Sequence, residues 1–370
     1  MIKKTICAAV TALCLAGTAK AAVNIAVIAP KSGDYSETAR DLTEGVRTAV
    51  SEINAQGGLL GQSVNLIEVD DRCDDRFNVS MAQMMAVNSS AEDKVHLVIG
   101  PYCVNRFAEV AKIYGDGKIL QIAPLPLDGE KMAVTQKGLI KLAGEERGQA
   151  AEFFEYYKLR FMNQNTALVY DANLRSAVEI AAAVQQKFAD ARLSNRLTSY
   201  NFANYGKDYE QLAAEILLNN RVVYVLGTSK DTAKLTREIG RLRDGTAVFA
   251  NRYGLKENYT DIVSAGQEGL YYLALENLRD NPQFAEILVR LRLKGQEPRG
   301  FGVYGYLSVM LWKKLVTQAN SFDYDAAAKT AATAEFSLPW GRVRFRDGKP
   351  DKSAPYGVYG FQNGEYAQVY

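Results

Sequence analysis

The run Val95-His96-Leu97-Val98-Ile99, closed by Gly100-Pro101, constrains this chain more than any other segment. Apolar side chains on successive residues need cover on both faces, which a strand inside a parallel sheet receives and a half-exposed strand does not. The segments on either side repeat the arrangement. Leu66-Ile67-Glu68-Val69 reads as a strand, the acidic turn Asp70-Asp71-Arg72-Cys73-Asp74-Asp75 follows it, and Met81, Met84, Met85 and Asn88 mark helical spacing before the run at 95. Lys118 to Ala123 is the next strand. Strands alternating with helices of this length predict right-handed crossovers and an α/β fold. Asp74 or Asp75 can cap the first of these helices, because a carboxylate accepts the free amide hydrogens of the first turn. Open α/β sheets hold ligands beyond the carboxyl ends of their strands, so the loop Gly100 to Arg106 is the first candidate site.

The chain opens with an address. Lys3 and Lys4 precede the apolar run from Ile6 to Gly17, and Ala19-Lys20-Ala21 supplies small residues for cleavage, so residues 1–21 read as a secretory signal peptide. The run is shorter than the roughly 20 residues a membrane anchor needs. A lipoprotein start is disfavoured by Leu13 directly before Cys14. Loss of Lys3, Lys4 and Lys20 takes the formal charge from +2 to −1, and a nearly neutral chain gives no reason to expect a nucleic-acid partner. Of four cysteines, Cys7 and Cys14 leave with the signal. The remaining pair, Cys73 and Cys103, is most simply a disulfide in an oxidising compartment, since both follow strands that a crossover makes neighbours. A redox or metal site would want a CxxC spacing or nearby histidines, and His96 is the single histidine.

Some 350 mature residues exceed one comfortable core, so two domains are expected. Val23 to Ala29 is the first strand, Lys31 to Tyr35 its loop, and an amphipathic helix runs from Glu37 to Ala55, ending at Gln56-Gly57-Gly58. The second half repeats the pattern. Strands are expected at 166–171, 197–202, 221–227, 246–250 and 269–275, and helices at 176–191, 208–219, 231–243 and 301–319. Asp208, Asp231 and Asp261 read as helix caps. Asn363-Gly364, between 358–361 and 366–370, is the preferred pair for a tight hairpin turn.

Four segments in order and spacing carry a resemblance: Ile53-Asn54-Ala55-Gln56-Gly57-Gly58, Asp70-Asp71-Arg72-Cys73-Asp74, Val98-Ile99-Gly100-Pro101-Tyr102-Cys103, and Pro339-Trp340-Gly341-Arg342-Val343-Arg344-Phe345-Arg346-Asp347-Gly348. The chain resembles the leucine/isoleucine/valine-binding type of periplasmic solute-binding protein over essentially its whole mature length. The resemblance implies a type I periplasmic binding protein fold, two Rossmann-like parallel-sheet lobes joined by three crossings, with residues 22–142 and 271–346 in one lobe and 143–270 and 347–370 in the other. The crossings are expected near 142–144, 267–269 and 346–349. It also implies a disulfide between Cys73 and Cys103, a small-molecule ligand held between the lobes without cofactor, a location in the periplasm, a monomer, and a membrane permease of an ABC importer as partner. A ligand sensor or accessory subunit of the same shape is the alternative.

The pocket departs from the family. Val104-Asn105 stands where the family has a Ser or Thr for an α-carboxylate, Pro124-Leu125-Pro126 where it has a small residue and a Thr, and Arg252-Tyr253 near an acidic partner of an α-ammonium. Candidate ligand contacts are therefore Tyr35, Tyr102, Asn105, Leu125, Arg175, Thr228, Ser229, Arg252 and Tyr253. Arginines without an opposing carboxylate favour an anionic ligand, because guanidinium offers a planar donor fork to carboxylate. Asp70, Asp71, Asp74 and Asp75 lack the glycine and spacing of a calcium loop and read as capping residues, so no metal is expected. Met81, Met84 and Met85 read as core. Neither a GxSxG elbow, a Walker loop, HExxH nor a GxGxxG follows any strand, so an enzyme is not expected.

Overall fold

The computed structural model describes residues 22–33, 35–87, 90, 93–243, 245–251, 269–276, 278, 282, 284–293, 295, 301–362 and 365–370. Residues 1–21, the expected signal peptide, lie outside them, as do Asn363 and Gly364. Among the described residues no helix is long and apolar enough to cross a membrane.

The first lobe is built on strands β1 (Val23–Ile28), β2 (Val64–Val69), β3 (Val95–Ile99), β4 (Leu120–Ala123) and β5 (Leu139–Lys141), ordered β2-β1-β3-β4-β5 and all parallel. The helices between them are α1 (Ser36–Ala55), α2 (Asp75–Val87), α3 (Phe107–Asp116) and the single turn α4 (Gly129–Ala133). The apolar run at 95–99 is the central strand, and Val95, Leu97, Val98 and Ile99 are buried. The second lobe carries α5 (Gln149–Arg160), β6 (Thr166–Tyr170), α6 (Arg175–Asp190), β7 (Leu197–Asn201), α7 (Tyr209–Asn219), β8 (Val222–Leu226), α8 (Ser229–Leu242), β9 (Ala247–Asn251) and β10 (Leu270–Leu275). The chain then returns to the first lobe as α9 (Ala285–Leu293), α10 (Gly302–Ala319), α11 (Tyr324–Thr333) and the small sheet β11 (Glu335–Leu338), β12 (Gly341–Arg346) and β13 (Lys349–Pro350). It ends in the second sheet as β14 (Tyr356–Gln362) and β15 (Glu365–Gln368), giving the order β15-β14-β10-β9-β8-β6-β7.

Two helices decide the shape of the first lobe. Leu42, Val46, Ala49 and Ile53 recur at helical spacing on α1 and are fully buried, each aliphatic side chain contributing about 1.5–3 kcal/mol by leaving water. They pack against α10, and the backbones come close: a Cβ on Gly45 would lie 1.8 Å from the Gly302 carbonyl oxygen. Glu52 in this interface is buried but answered by the Tyr306 hydroxyl at 2.9 Å and Arg290 at 3.2 Å, which offsets its desolvation.

The strand pairing corrects two of the expected lobe boundaries. Residues 271–275 were expected in the first lobe, but β10 pairs in parallel with β9 and antiparallel with β14, so the passage back follows Leu275 rather than 267–269. Residues 347–350 were expected in the second lobe, yet β13 pairs with β12 and Lys141 N donates to the Gly348 carbonyl at 2.8 Å. The last passage therefore follows Pro350. Here the passing segments bind one another: Ala354 N donates to Ala143 O at 3.0 Å and Glu276 N to Pro355 O at 2.8 Å. Gly144 between them has φ +89°, and a Cβ there would meet the Ser353 hydroxyl oxygen at 2.1 Å, so no other residue fits.

Candidate functional site

The carboxyl-end loops of the first sheet are held by backbone amides donating to aspartates. Asp70 Oδ1 accepts from Lys31 N at 3.0 Å and Arg72 N at 3.1 Å, tying the loop after β1 to the loop after β2. These bonds, the one from Lys31 foremost, hold its carboxyl below the usual aspartate range. Asp71 is fully buried between the two cysteines, its Oδ1 accepting from Cys73 N at 2.9 Å and its Oδ2 from Cys103 N at 3.2 Å. Burial nevertheless pushes the Asp71 carboxyl up. Cys73 and Cys103 are joined, with Cα atoms 4.8 Å apart, and Asn78 Nδ2 donates to Cys103 O at 2.7 Å. Of the two capping candidates Asp74 is the cap, accepting from Arg76 N at 2.8 Å and Phe77 N at 3.0 Å. Asp75 instead reaches the next loop and accepts from Asn105 N at 2.7 Å and Asn105 Nδ2 at 3.0 Å.

This lattice sets the position of Tyr102. Gly100 has φ +109°, and a Cβ there would stand 2.6 Å from Ile28 O, so only glycine lets the chain turn against β1. Tyr102 N donates to that same Ile28 oxygen at 2.9 Å, and buried Gln121 Nε2 donates to Gly100 O at 2.9 Å. The Tyr102 ring then lies 6.0 Å from the ring of Tyr35, at the end of the loop after β1, and 6.3 Å from Phe301. The structure thus brings Tyr35 and Tyr102 together as a half-exposed aromatic wall. Leu125 is buried in the first lobe's core with Leu142 and Ala143.

In the second lobe the described loops are held by side-chain hydrogen bonds. Asp171 Oδ1 accepts from Asn173 N at 2.9 Å and Asn173 Nδ2 at 3.0 Å. Thr228 is the N-cap of α8: its hydroxyl accepts from Asp231 N at 3.2 Å and donates to Asp231 Oδ2 at 2.6 Å. Asp231, expected as a cap, is the third-residue partner of a capping box, and its other oxygen accepts from Tyr209 OH at 2.5 Å. Ser229 is the first residue of α8. Asp208 does cap α7, accepting from Gln211 N at 2.9 Å. Arg252, Tyr253 and Asp261 lie outside the described residues.

The lobes meet where the loop after β4 faces the start of α6. Arg175, at that start, forms an ion pair with Glu130 of α4, so its charge is already answered in this arrangement. One turn along α6, Glu179 Oε2 accepts from Gly129 N at 2.6 Å. Sequence reading singled out Arg175 but neither glutamate, because an isolated Glu in a loop or helix carries no local signal of a partner about 50 residues away. His96 sits apart from all of this, its Nδ1 3.3 Å from Phe322 O, and burial lowers its pKa.

Comparison with known proteins agrees with this geometry. A family model described as periplasmic binding protein matches residues 22–364. The Leu/Ile/Val-binding protein homolog 2 of Brucella abortus (strain 2308) is 25% identical over 356 residues, spanning 95% of this chain and 93% of that protein. Among solved structures, the leucine-binding protein LivK of Thermotoga maritima MSB8 superposes with a TM-score of 0.75 at 20% identity, covering 94% of this chain and 98% of its own. A solute-binding protein of an ABC transporter from R. palustris, solved in complex with benzoate, gives a TM-score of 0.69 at 17% identity, covering 94% and 95%.

Proposed function

The chain belongs to the periplasmic binding protein family, and on that premise we propose that it is the substrate-binding component of an ABC importer, taking a small amino-acid-like or carboxylate ligand between its lobes. The observation that carries this reading is the meeting of α4 and α6, the helices that follow β4 of one sheet and β6 of the other, at Gly129 and Glu179, beside passing segments that bind one another. Two such sheets turned toward each other form a cleft that closes over a solute and hides it from water. The ligand is bound and released unchanged. A permease in the membrane then recognises the closed form.

Tyr35 and Tyr102 supply an apolar wall from the first lobe, and Ser229, Arg252 and Tyr253 supply polar groups from the second. Asn105 and Thr228 are positioned through Asp75 and Asp231 at the ends of their loops. The absence of a carboxylate at 252–253 still argues against a zwitterion's ammonium and for a carboxylate. Relatives of this fold have been solved with ligands as different as leucine and benzoate, which supports testing both classes.

The test is to unfold and refold the purified protein to strip carried solute, then record thermal shifts against branched-chain amino acids, amides, dicarboxylates and aromatic acids. A ligand at 100 times its Kd adds about 2.7 kcal/mol, a visible shift. Stabilisation by carboxylates without an amino group is the expected result. Stabilisation by leucine, isoleucine or valine overturns the carboxylate inference and keeps the transport reading. Silence across the panel favours a sensor or accessory role.

A further inference from the structure

Two contacts between α4 and α6 join the lobes. Gly129 opens α4, and its N–H has no partner within that turn, since the Asp128 carboxylate takes the Lys131 N–H. Glu179 supplies the missing acceptor from the other lobe, at 2.6 Å. Arg175, four residues earlier on the same helix face, pairs with Glu130, the next residue of α4. The fit is close: a Cβ on Gly129 would stand 3.3 Å from one Glu179 carboxylate oxygen and 3.4 Å from the other. The α4 side is itself fastened to the passing segment, because Leu127 N donates to Gly144 O at 2.9 Å and Glu146 N to Leu127 O at 2.9 Å. On the α6 side Arg147, paired with Glu145, lies near enough to feel the Glu179 charge.

From these contacts we propose that Glu179 and Arg175 clip α6 to Gly129 and Glu130, so that contacts between the lobes set part of the ligand affinity by stabilising the arrangement in which they form. The inference rests on the binding reading above. In the open arrangement the Gly129 amide and the Glu179 carboxylate return to water, and both contacts are lost together. A ligand then has less work to do in closing a protein whose closed state is already favoured, and its apparent affinity rises with the closed fraction. Of the two contacts the Glu179 bond is the stronger, being a half-buried charged hydrogen bond, while the Arg175–Glu130 pair is exposed on both sides and screened by salt.

The experiment compares wild type with Glu179→Ala, Glu179→Gln, Gly129→Ala and Arg175→Gln. Small-angle scattering on ligand-stripped protein reads closure directly, and calorimetric titration with leucine and with benzoate reads affinity. Urea unfolding monitors the fold throughout. Glu179→Ala should increase the radius of gyration of the stripped protein and weaken whichever probe binds by roughly tenfold, whereas Gly129→Ala, which keeps the N–H and meets only the movable end of Glu179, should change either by less than about twofold. Glu179→Gln, which keeps an acceptor, should recover most of that loss, and Arg175→Gln should cost about twofold, vanishing at high salt. An unchanged radius of gyration in Glu179→Ala with an intact urea midpoint overturns the clip, whichever probe binds. A radius that rises while neither probe binds leaves the clip standing and removes the ligand assignment instead.

Discussion

The two lobes fasten their cleft-facing loops by different means. In the first, a disulfide and hydrogen bonds join one loop to another: Cys73 to Cys103, Asp71 to both cysteine amides, Asp75 to Asn105 and Asp70 to Lys31. In the second, the described loops are joined by hydrogen bonds alone, within a loop as in Thr228 to Asp231 and Asp171 to Asn173, and between neighbours as in Tyr209 to Asp231 and Ala172 to Asn201. The first lobe therefore behaves as a preformed platform in which moving one loop moves its neighbours. The second has no disulfide among its described residues, and its loops are held to one another by single side-chain hydrogen bonds.

The contrast can be broken by removing the covalent tie. Cys73→Ser with Cys103→Ser opens a loop spanning 30 residues and should lower stability by about 3–4 kcal/mol on the chain-entropy account, read from urea midpoints. It should also loosen Tyr102, visible as faster amide exchange across 100–106. A loss below 1 kcal/mol would show that Asp71 alone holds these loops together. Asp71→Ala leaves two part-buried amides without their acceptor and should cost about 1–2 kcal/mol. The exchange of residues in both loops should rise together; a rise confined to 71–75 would reduce Asp71 to a local turn residue. Thr228→Ala removes an N-cap and should cost about 1 kcal/mol, with exchange altered only in the first turn of α8. Spread of that effect to 171–175 would erase the difference between the lobes.

The smallest effect is a pH slope. Burial raises the Asp71 carboxyl above its ordinary value of 3.8, so the folded protein holds this proton at pH values where the unfolded chain has released it. The stability that protonated Asp71 contributes is present below pH 3.8 and is lost as pH rises through the folded value. Between pH 3.5 and 6, wild type should therefore lose stability relative to Asp71→Asn, measured as the difference of urea midpoints. Parallel curves would mean that the two amide bonds outweigh burial.

Much of the fold was legible because it depends on neighbours in the chain. The buried run at 95–99 became the central strand, the α1 stripe became the buried face against α10, and Asp74 and Asp208 cap the helices they precede. The lobe boundaries slipped for the opposite reason. Leu270–Leu275 looks the same from within whichever sheet receives it, and only its pairing with β9 and β14 assigns it. The candidate site divides likewise. Tyr35 and Tyr102 stand out in the sequence because each follows a strand, whereas their approach to each other and the tie of Asn105 to Asp75, 30 residues away, are legible in neither segment alone.

Periodicity, turn residues and charge placement thus settled which segments are helix or strand, where they start, and that two cysteines end near each other, since each of these depends on interactions within a few residues or one crossover. The register of the sheets, the return of 285–350 to the first lobe, the burial of Asp71, and the meeting of Gly129 with Glu179 were decided only in three dimensions. Hydrogen bonds and close packing act over a few ångströms of space, and which residues come within that reach is a property of the assembled sheets rather than of any segment.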